Sequence, residues 1–224
     1  MSNDLVLLKA KIETLKNPLD FIKNLSERKN VLNVGAAGGV LGLNGYLPNN
    51  EQNWLHSKII SSAEKVLATD IDEEAIQHAE KYGYKMIKQN CEIMNLAEKF
   101  EIIIMSDVIE HLDAPVKAIK NLVDNHLTKD GILVITTPNG SASNIFFRSL
   151  IRNDLNVYYD HMAVYYPEHF QAICNRLGYS LKKVYLFDHS DKRSLIIKIK
   201  GLLFNFASFM FPRLSSAMMV LIQK

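Results

Sequence analysis

The sequence predicts an α/β fold, a mostly parallel sheet with helices on both faces. Two observations carry that expectation. Val31, Leu32 and Val34 form a short apolar run that enters Gly35-Ala36-Ala37-Gly38-Gly39, a loop with almost no side chains. Such a run fits a buried parallel strand, and such a loop lets backbone approach a ligand closely. Further on, Val66-Leu67-Ala68 reads as a second strand and ends on Thr69-Asp70-Ile71-Asp72. Asp70 then stands at the carboxyl end of that strand. In a doubly wound sheet a carboxylate there accepts the ribose hydroxyls of a nucleotide-like ligand. Asp72 is placed to cap the helix that starts near Glu73, which leaves Asp70 for the ligand.

The chain has 224 residues, enough for a single α/β domain with a sizeable core. A net charge of +2 supplies no global field for nucleic acid, and no basic stripe occurs. Two cysteines, Cys91 and Cys174, cannot build a disulfide framework, and no Cys/His cluster has zinc spacing. The first residues, MSNDLVLLKAKIE, carry charges on both sides of a short apolar run, unlike a signal peptide. These features point to a cytoplasmic protein.

Leu5, Leu8, Ile12 and Leu15 recur at helical spacing and predict a helix over 4–15. With a second helix over 19–25, residues 1–29 form a helical cap. Residues 40–53 hold too much Gly, Asn and Pro for a clean helix, so a helix over 56–62 leads to the second strand. Trp54, the single tryptophan, reads as a packing residue. A helix over 73–82 stops at Gly83, and strands follow over 85–88 and 101–105. A helix over 114–127 precedes a strand over 131–136, which Pro138 must end because it cannot donate to a ladder. Helices over 143–151 and 167–177 come next. Pro167 suits a first helical turn and Gly178 a stop. Apolar runs over 180–187 and 217–223 complete the strands.

Five stretches, VLNVGAAGG, VLATDID, QNCE, MSDVIEHLDAP and GILVITTPN, occur in that order over about residues 30 to 140. A weaker match runs through Tyr166-Pro167-Glu168 to Gly178. The ordered set resembles the class I S-adenosylmethionine-dependent methyltransferases. The resemblance implies a Rossmann-like three-layer sandwich whose mostly parallel, seven-stranded sheet has an antiparallel last strand. It implies a cofactor-binding core over 30–140, with Gly35, Ala36, Ala37, Gly39, Asp70, Ile71, Asn90, Cys91 and Ser106 around S-adenosylmethionine. Asn90-Cys91-Glu92 would flank the adenine, where relatives often have Asp at the first position; an amide also offers an adenine edge a donor and an acceptor. Two positions depart from the family pattern. Asn33 stands where an acidic residue is usual, and Ala37 where a glycine is frequent.

Asp107, Glu110 and His111 follow the fourth predicted strand at i, i+3 and i+4. If that segment is helical, all three share one face. A histidine beside carboxylates can act as general base toward a hydroxyl. Two carboxylates and an imidazole could equally hold a divalent cation, or the run could only cap and pack the next helix. The stretch is similar to one in ubiquinone-type O-methyltransferases, where a comparable run is associated with a metal. Here His111 and Asp107 are read as catalytic and no resident metal is assigned. Residues 141–166 form the substrate lid by the same resemblance. Tyr158, Tyr159, Met162, Tyr165 and Tyr166 crowd it, and His161 is either a second base or a packed lid histidine.

Between Lys192 and Phe211 the polar positions Ser194, Lys198, Gly201, Asn205 and Ser208 trace one narrow stripe in an otherwise apolar stretch. Residues 192–213 are therefore expected to form an amphipathic helical insert. Lys198, Lys200 and Pro212 argue against a spanning helix. Its apolar face would pack on its own domain, on a second subunit, on a membrane surface or on a lipid-linked substrate.

The expected activity is methyl transfer from S-adenosylmethionine to a hydroxyl of a glycan, a polyprenyl-linked intermediate or a quinone-like small molecule. Two other classes remain. A nicotinamide-dependent oxidoreductase would use the Gly loop and Asp70, although strict G-x-G-x-x-G is absent. A non-catalytic module would keep the fold without the chemistry.

Overall fold

The computed structural model describes residues 5–41, 45–153, 158–188 and 210–224. Among these described residues are eight strands and six α-helices. The strands are β1 (Lys11–Thr14), β2 (Asn30–Val34), β3 (Lys65–Asp70), β4 (Ile87–Lys88), β5 (Phe100–Ser106), β6 (Leu127–Pro138), β7 (Ser180–Phe187) and β8 (Ala217–Gln223). The helices are α1 (Pro18–Leu25), α2 (Leu55–Ile60), α3 (Glu73–Glu80), α4 (Pro115–Asn121), α5 (Ser143–Arg152) and α6 (Pro167–Leu177). The sheet order is β1-β7-β8-β6-β5-β2-β3-β4, mostly parallel with antiparallel C-terminal strands. The Rossmann-like α/β class expected from the sequence is the class observed.

Contacts divide the chain into two compact units. The first comprises Asn17–Val108, Ala114–Val134 and Gln223–Lys224. Its centre is β2, where Val31, Leu32 and Val34 are buried and leave no face for water. β2 pairs in parallel with β3 on one side and β5 on the other. Val34 stands opposite both Thr69 and Met105, and Asp70 opposite Lys88. That register brings the carboxyl ends of four strands to one edge. Trp54 is buried in an apolar cluster with Ala36, Val40, Ile76 and Met86, and makes edge contacts with His56 and Tyr84. It is a packing residue, as the sequence suggests.

The second unit comprises Met1–Lys16, Ile109–Asp113 and Ile135–Ile222. Here β1 pairs in parallel with β7, Ile12 opposite Val184. The residues of β8 are buried from Ala217 to Ile222. Pro167 opens α6, and Gly178, at φ +76°, ends it in the left-handed conformation expected of a glycine stop.

Three elements differ from the sequence reading. The helix expected over 4–15 does not form; its residues supply β1, the eighth strand. Leu5 and Leu7 are 79% and 76% exposed, so no apolar helix face is buried, and pairing with β7 wins. Four residues are too few for strand alternation to show in a sequence. The helix expected over 114–127 is α4 followed by a single π-helical stretch, Leu122–His126, and β6 starts at once from Leu127. Of the insert expected over 192–213, residues 192–209 lie outside the described residues. Pro212–Leu214 is a 3₁₀ turn.

Candidate active site

In the first unit the site is built by the loop after β2. Gly35 has φ +71°, and a Cβ added there would lie 2.3 Å from Val108 Cγ2. Only glycine satisfies both the backbone and the space. The loop is then tied to β3. Ala36 N–H donates to the Thr69 carbonyl at 3.0 Å, and Ala37 N–H donates to Asp70 Oδ2 at 2.8 Å. Asp70 Oδ1 accepts from the N–H groups of Ile71 and Asp72, at 2.7 and 3.0 Å. The 8% exposed carboxylate thus holds its own turn and the Gly loop in one frame. It keeps acceptor capacity on Oδ2, since an ionised carboxylate offers about four lone-pair sites. Asp72 caps α3, accepting from Ala75 N–H at 3.1 Å.

The other expected cofactor residues stand at the same edge of this unit. Ile71 is 65% exposed beside Asp70. The Asn90 side chain is exposed and accepts from Glu92 N–H at 2.8 Å, forming a tight turn. Cys91 is buried, and burial with the nearby Glu92 charge pushes its thiol up to about 11. It is an apolar neighbour and not a nucleophile. Ser106 Oγ lies 3.5 Å from Asp107 Oδ2. Asp107 adopts φ +51°, a conformation uncommon outside glycine and typical of constrained functional positions.

Two residues of this region escaped the sequence reading. Tyr46 faces Asp107: burial and that negative charge push its hydroxyl above its usual value. His56 is 1% exposed, and Asn33 lies 3.0 Å from its Nδ1. Burial pushes the imidazole down to about 4, so it is neutral at pH 7. A neutral ring accepting the Asn33 amide at Nδ1 carries its proton at Nε2. Neither residue belongs to a motif, so only the folded chain brings them forward.

These residues fit S-adenosylmethionine. The Gly35–Gly39 loop leaves room for backbone approach, Asp70 retains an acceptor for ribose hydroxyls, and Asp107 supplies negative charge for a cationic ligand.

In the second unit Ile109–His111 is one 3₁₀ turn. Asp107 lies before it, so the single helical face expected for Asp107, Glu110 and His111 does not form. Glu110 and His111 are joined by His161 instead: ligand-type atoms of the three lie within 4.8 Å of one another. Glu110 is 1% exposed, and Thr137 Oγ1 donates to its Oε2 at 3.0 Å. Its carbonyl accepts from Met162 N–H at 2.6 Å, which places His161 beside it. His111 Nδ1 is 3.0 Å from the Asp160 carbonyl and 3.4 Å from Asp160 Oδ2. Both partners are acceptors, so Nδ1 carries a proton and Nε2 of the neutral ring is left as an acceptor. The His111 and His161 rings meet edge to face at 4.7 Å, and Tyr158 lies 5.0 Å from His161. Tyr165 is one of the aromatics that the sequence places in the lid. Burial and the Glu110 charge push its hydroxyl up.

A family model described as a methyltransferase domain matches residues 8–184. No curated protein matches the chain. Solved structures with the same fold include a putative methyltransferase from Bacillus halodurans, 16% identical with TM-score 0.58, covering 92% of this chain and 97% of that one. A S-adenosylmethionine-dependent methyltransferase from Archaeoglobus fulgidus is 14% identical with TM-score 0.56, covering 92% and 94%. The N-methyltransferase NodS of Bradyrhizobium japonicum, in complex with S-adenosyl-L-homocysteine, is 14% identical with TM-score 0.55, covering 92% and 83%. The family match sets aside the nicotinamide reading, and the chain belongs to the S-adenosylmethionine-dependent class I methyltransferases.

Proposed function

We propose that the protein methylates a hydroxyl of a small acceptor: a glycan, a polyprenyl-linked intermediate or a quinone-like ring. The observation that carries this reading is the Glu110, His111 and His161 cluster. S-adenosylmethionine supplies an electrophilic methyl group on a cationic sulfur. Methyl transfer to a hydroxyl requires that the hydroxyl lose its proton, whereas an amine can attack first. His111 is built as a base, since Asp160 fixes the Nδ1 proton and leaves Nε2 to accept one. Most of the acceleration comes from holding acceptor and methyl in line, with the base adding about 10²–10⁴-fold. Tyr158 and Tyr165 beside the cluster suit a ring or sugar face.

The same geometry supports a second reading. Two imidazoles and a carboxylate within 4.8 Å are a ligand set for a divalent cation, with positions left for an acceptor's oxygens. Chelation followed by metal add-back separates the two, because only the cation reading makes activity depend on the metal. The activity itself is tested by incubating protein and S-adenosylmethionine with glycans, polyprenyl phosphates and catechols, and by mass spectrometry of the products. A methyl ether lost in His111→Gln and His161→Gln supports the reading. Transfer to nitrogen alone overturns it. Absence of cofactor binding by the wild type would instead make the chain a non-catalytic module of this fold.

A further inference from the structure

Thr137 carries a buried hydroxyl that neither the cofactor site nor the proposed base accounts for. It stands near the end of β6, and its Oγ1 donates to Glu110 Oε2 at 3.0 Å. Glu110 is itself buried, and a carboxylate kept from water is oriented by the donors that reach it. Glu110 also holds the lid. Its main-chain carbonyl accepts from Met162 N–H at 2.6 Å and from Ala163 N–H at 3.3 Å. Its side chain has a ligand-type atom within 4.8 Å of those of His111 and His161. Glu110 therefore connects Thr137 to both imidazoles and to the backbone that carries one of them.

The chain around Thr137 presets the direction of its hydroxyl. Pro138 follows it, and a residue before proline is kept extended. A β-branched side chain has few χ1 choices on such backbone. Beyond the proline, Asn139 is fixed on several sides. Its N–H donates to the Ser216 carbonyl at 3.0 Å, and its Nδ2 to the carbonyls of Arg213 and Ser215 at 2.9 and 2.7 Å. Asn139 bridges Tyr165, and Gly140 N–H donates to the Tyr165 carbonyl at 2.8 Å. The end of β6 thus holds the lid at two points. Tyr165 is held through main chain, and Met162 through the Thr137–Glu110 pair.

We infer that Thr137 is a positioning residue: acting through Glu110, its hydroxyl sets where His161 stands relative to His111. The inference rests on the base chemistry proposed above. A donor on one carboxylate oxygen keeps the Glu110 side chain in one orientation, with its carbonyl presented to Met162. Without that donor the carboxylate turns toward other partners, and the 3₁₀ turn and the lid segment bound to it shift. A misplacement of about 1 Å in such a site can cost about 100-fold in rate.

Thr137→Val keeps the shape and removes the donor, whereas Thr137→Ser keeps the donor. Three quantities are measured: methyl transfer, S-adenosylmethionine affinity, and the proton–nitrogen spectra of the histidine rings, assigned with His111→Gln and His161→Gln. Thr137→Val should lower turnover about 10–100-fold, leave cofactor affinity unchanged and shift the His161 ring signals. Thr137→Ser should restore both turnover and signals. In a double-mutant cycle with Glu110→Gln the two losses should not multiply, because Glu110 is the group through which Thr137 acts. Wild-type turnover and unshifted ring signals in Thr137→Val overturn the inference. So does a serine variant no better than the valine one, or losses that multiply in the cycle. If Thr137→Val loses cofactor binding, Thr137→Ala takes its place, and the same loss there assigns Thr137 to the fold alone and overturns the inference. A wild type that methylates no acceptor defeats the proposed activity instead, and the ring spectra then decide the role of Thr137.

Discussion

Asn33 and His56 form a buried, uncharged pair, the amide 3.0 Å from the imidazole Nδ1. The amide is matched to its partner. A carboxylate at 33 would be buried beside a ring that burial holds neutral down to about pH 4.

This pairing makes stability depend on acid. The folded His56 pKa, about 4, is below its ordinary 6.5, so the unfolded chain binds the proton more readily between those values. The stabilisation is complete above pH 6.5 and is lost as pH falls toward 4. Urea denaturation should show wild type losing about 2 kcal/mol more than His56→Gln between pH 7 and pH 5.

Asn33→Asp reverses the logic. A carboxylate against Nδ1 favours the imidazolium, so the His56 pKa should rise from about 4 toward or past 6.5. Histidine NMR titration measures it. A ring that stays near 4 would show that residue 33 does not govern its charge.

Asp70 joins two loops through three backbone donors. Asp70→Ala should weaken S-adenosylmethionine binding at least tenfold, through loss both of the ribose acceptor and of the loop's anchor. Asp70→Asn keeps an acceptor and should lose less. Calorimetric titration distinguishes them.

Gly35→Ala places a methyl 2.3 Å from Val108 Cγ2 at a positive φ. It should cost about 1–3 kcal/mol of stability and most of the cofactor affinity. Gly35→Ala combined with Val108→Ala relieves the clash and leaves only the backbone strain. It should recover part of the loss in thermal denaturation.

Cys91, buried and held at about 11, should resist iodoacetamide at pH 8 in the folded protein and react on unfolding. Mass spectrometry of the labelled peptide checks this.

The strands β2, β3 and β5 to β8 were legible because each holds an apolar run bounded by Gly, Pro or charge, whereas β4 is only the exposed pair Ile87 and Lys88. The Gly35 turn and the Asp72 cap were legible for the same reason, since both are local chemistry. What lay beyond the sequence was everything set by distant pairing. Lys11–Thr14 is a strand because β7 lies alongside it, against its own helical spacing. His161 joins Glu110 because Met162 N–H binds the Glu110 carbonyl across about fifty residues of chain, whereas sequence spacing had offered Asp107. Asn33 departs from the family pattern in sequence, and the fold supplies its partner, His56, from 23 residues away. The sequence alone determined the fold class, through periodicity and turn chemistry, and the family, through the ordered set of stretches it shares with it. Tertiary structure alone decided which side chains share a charge, a proton or a metal-sized space, because those energies fall off within a few ångströms and sequence separation does not measure distance.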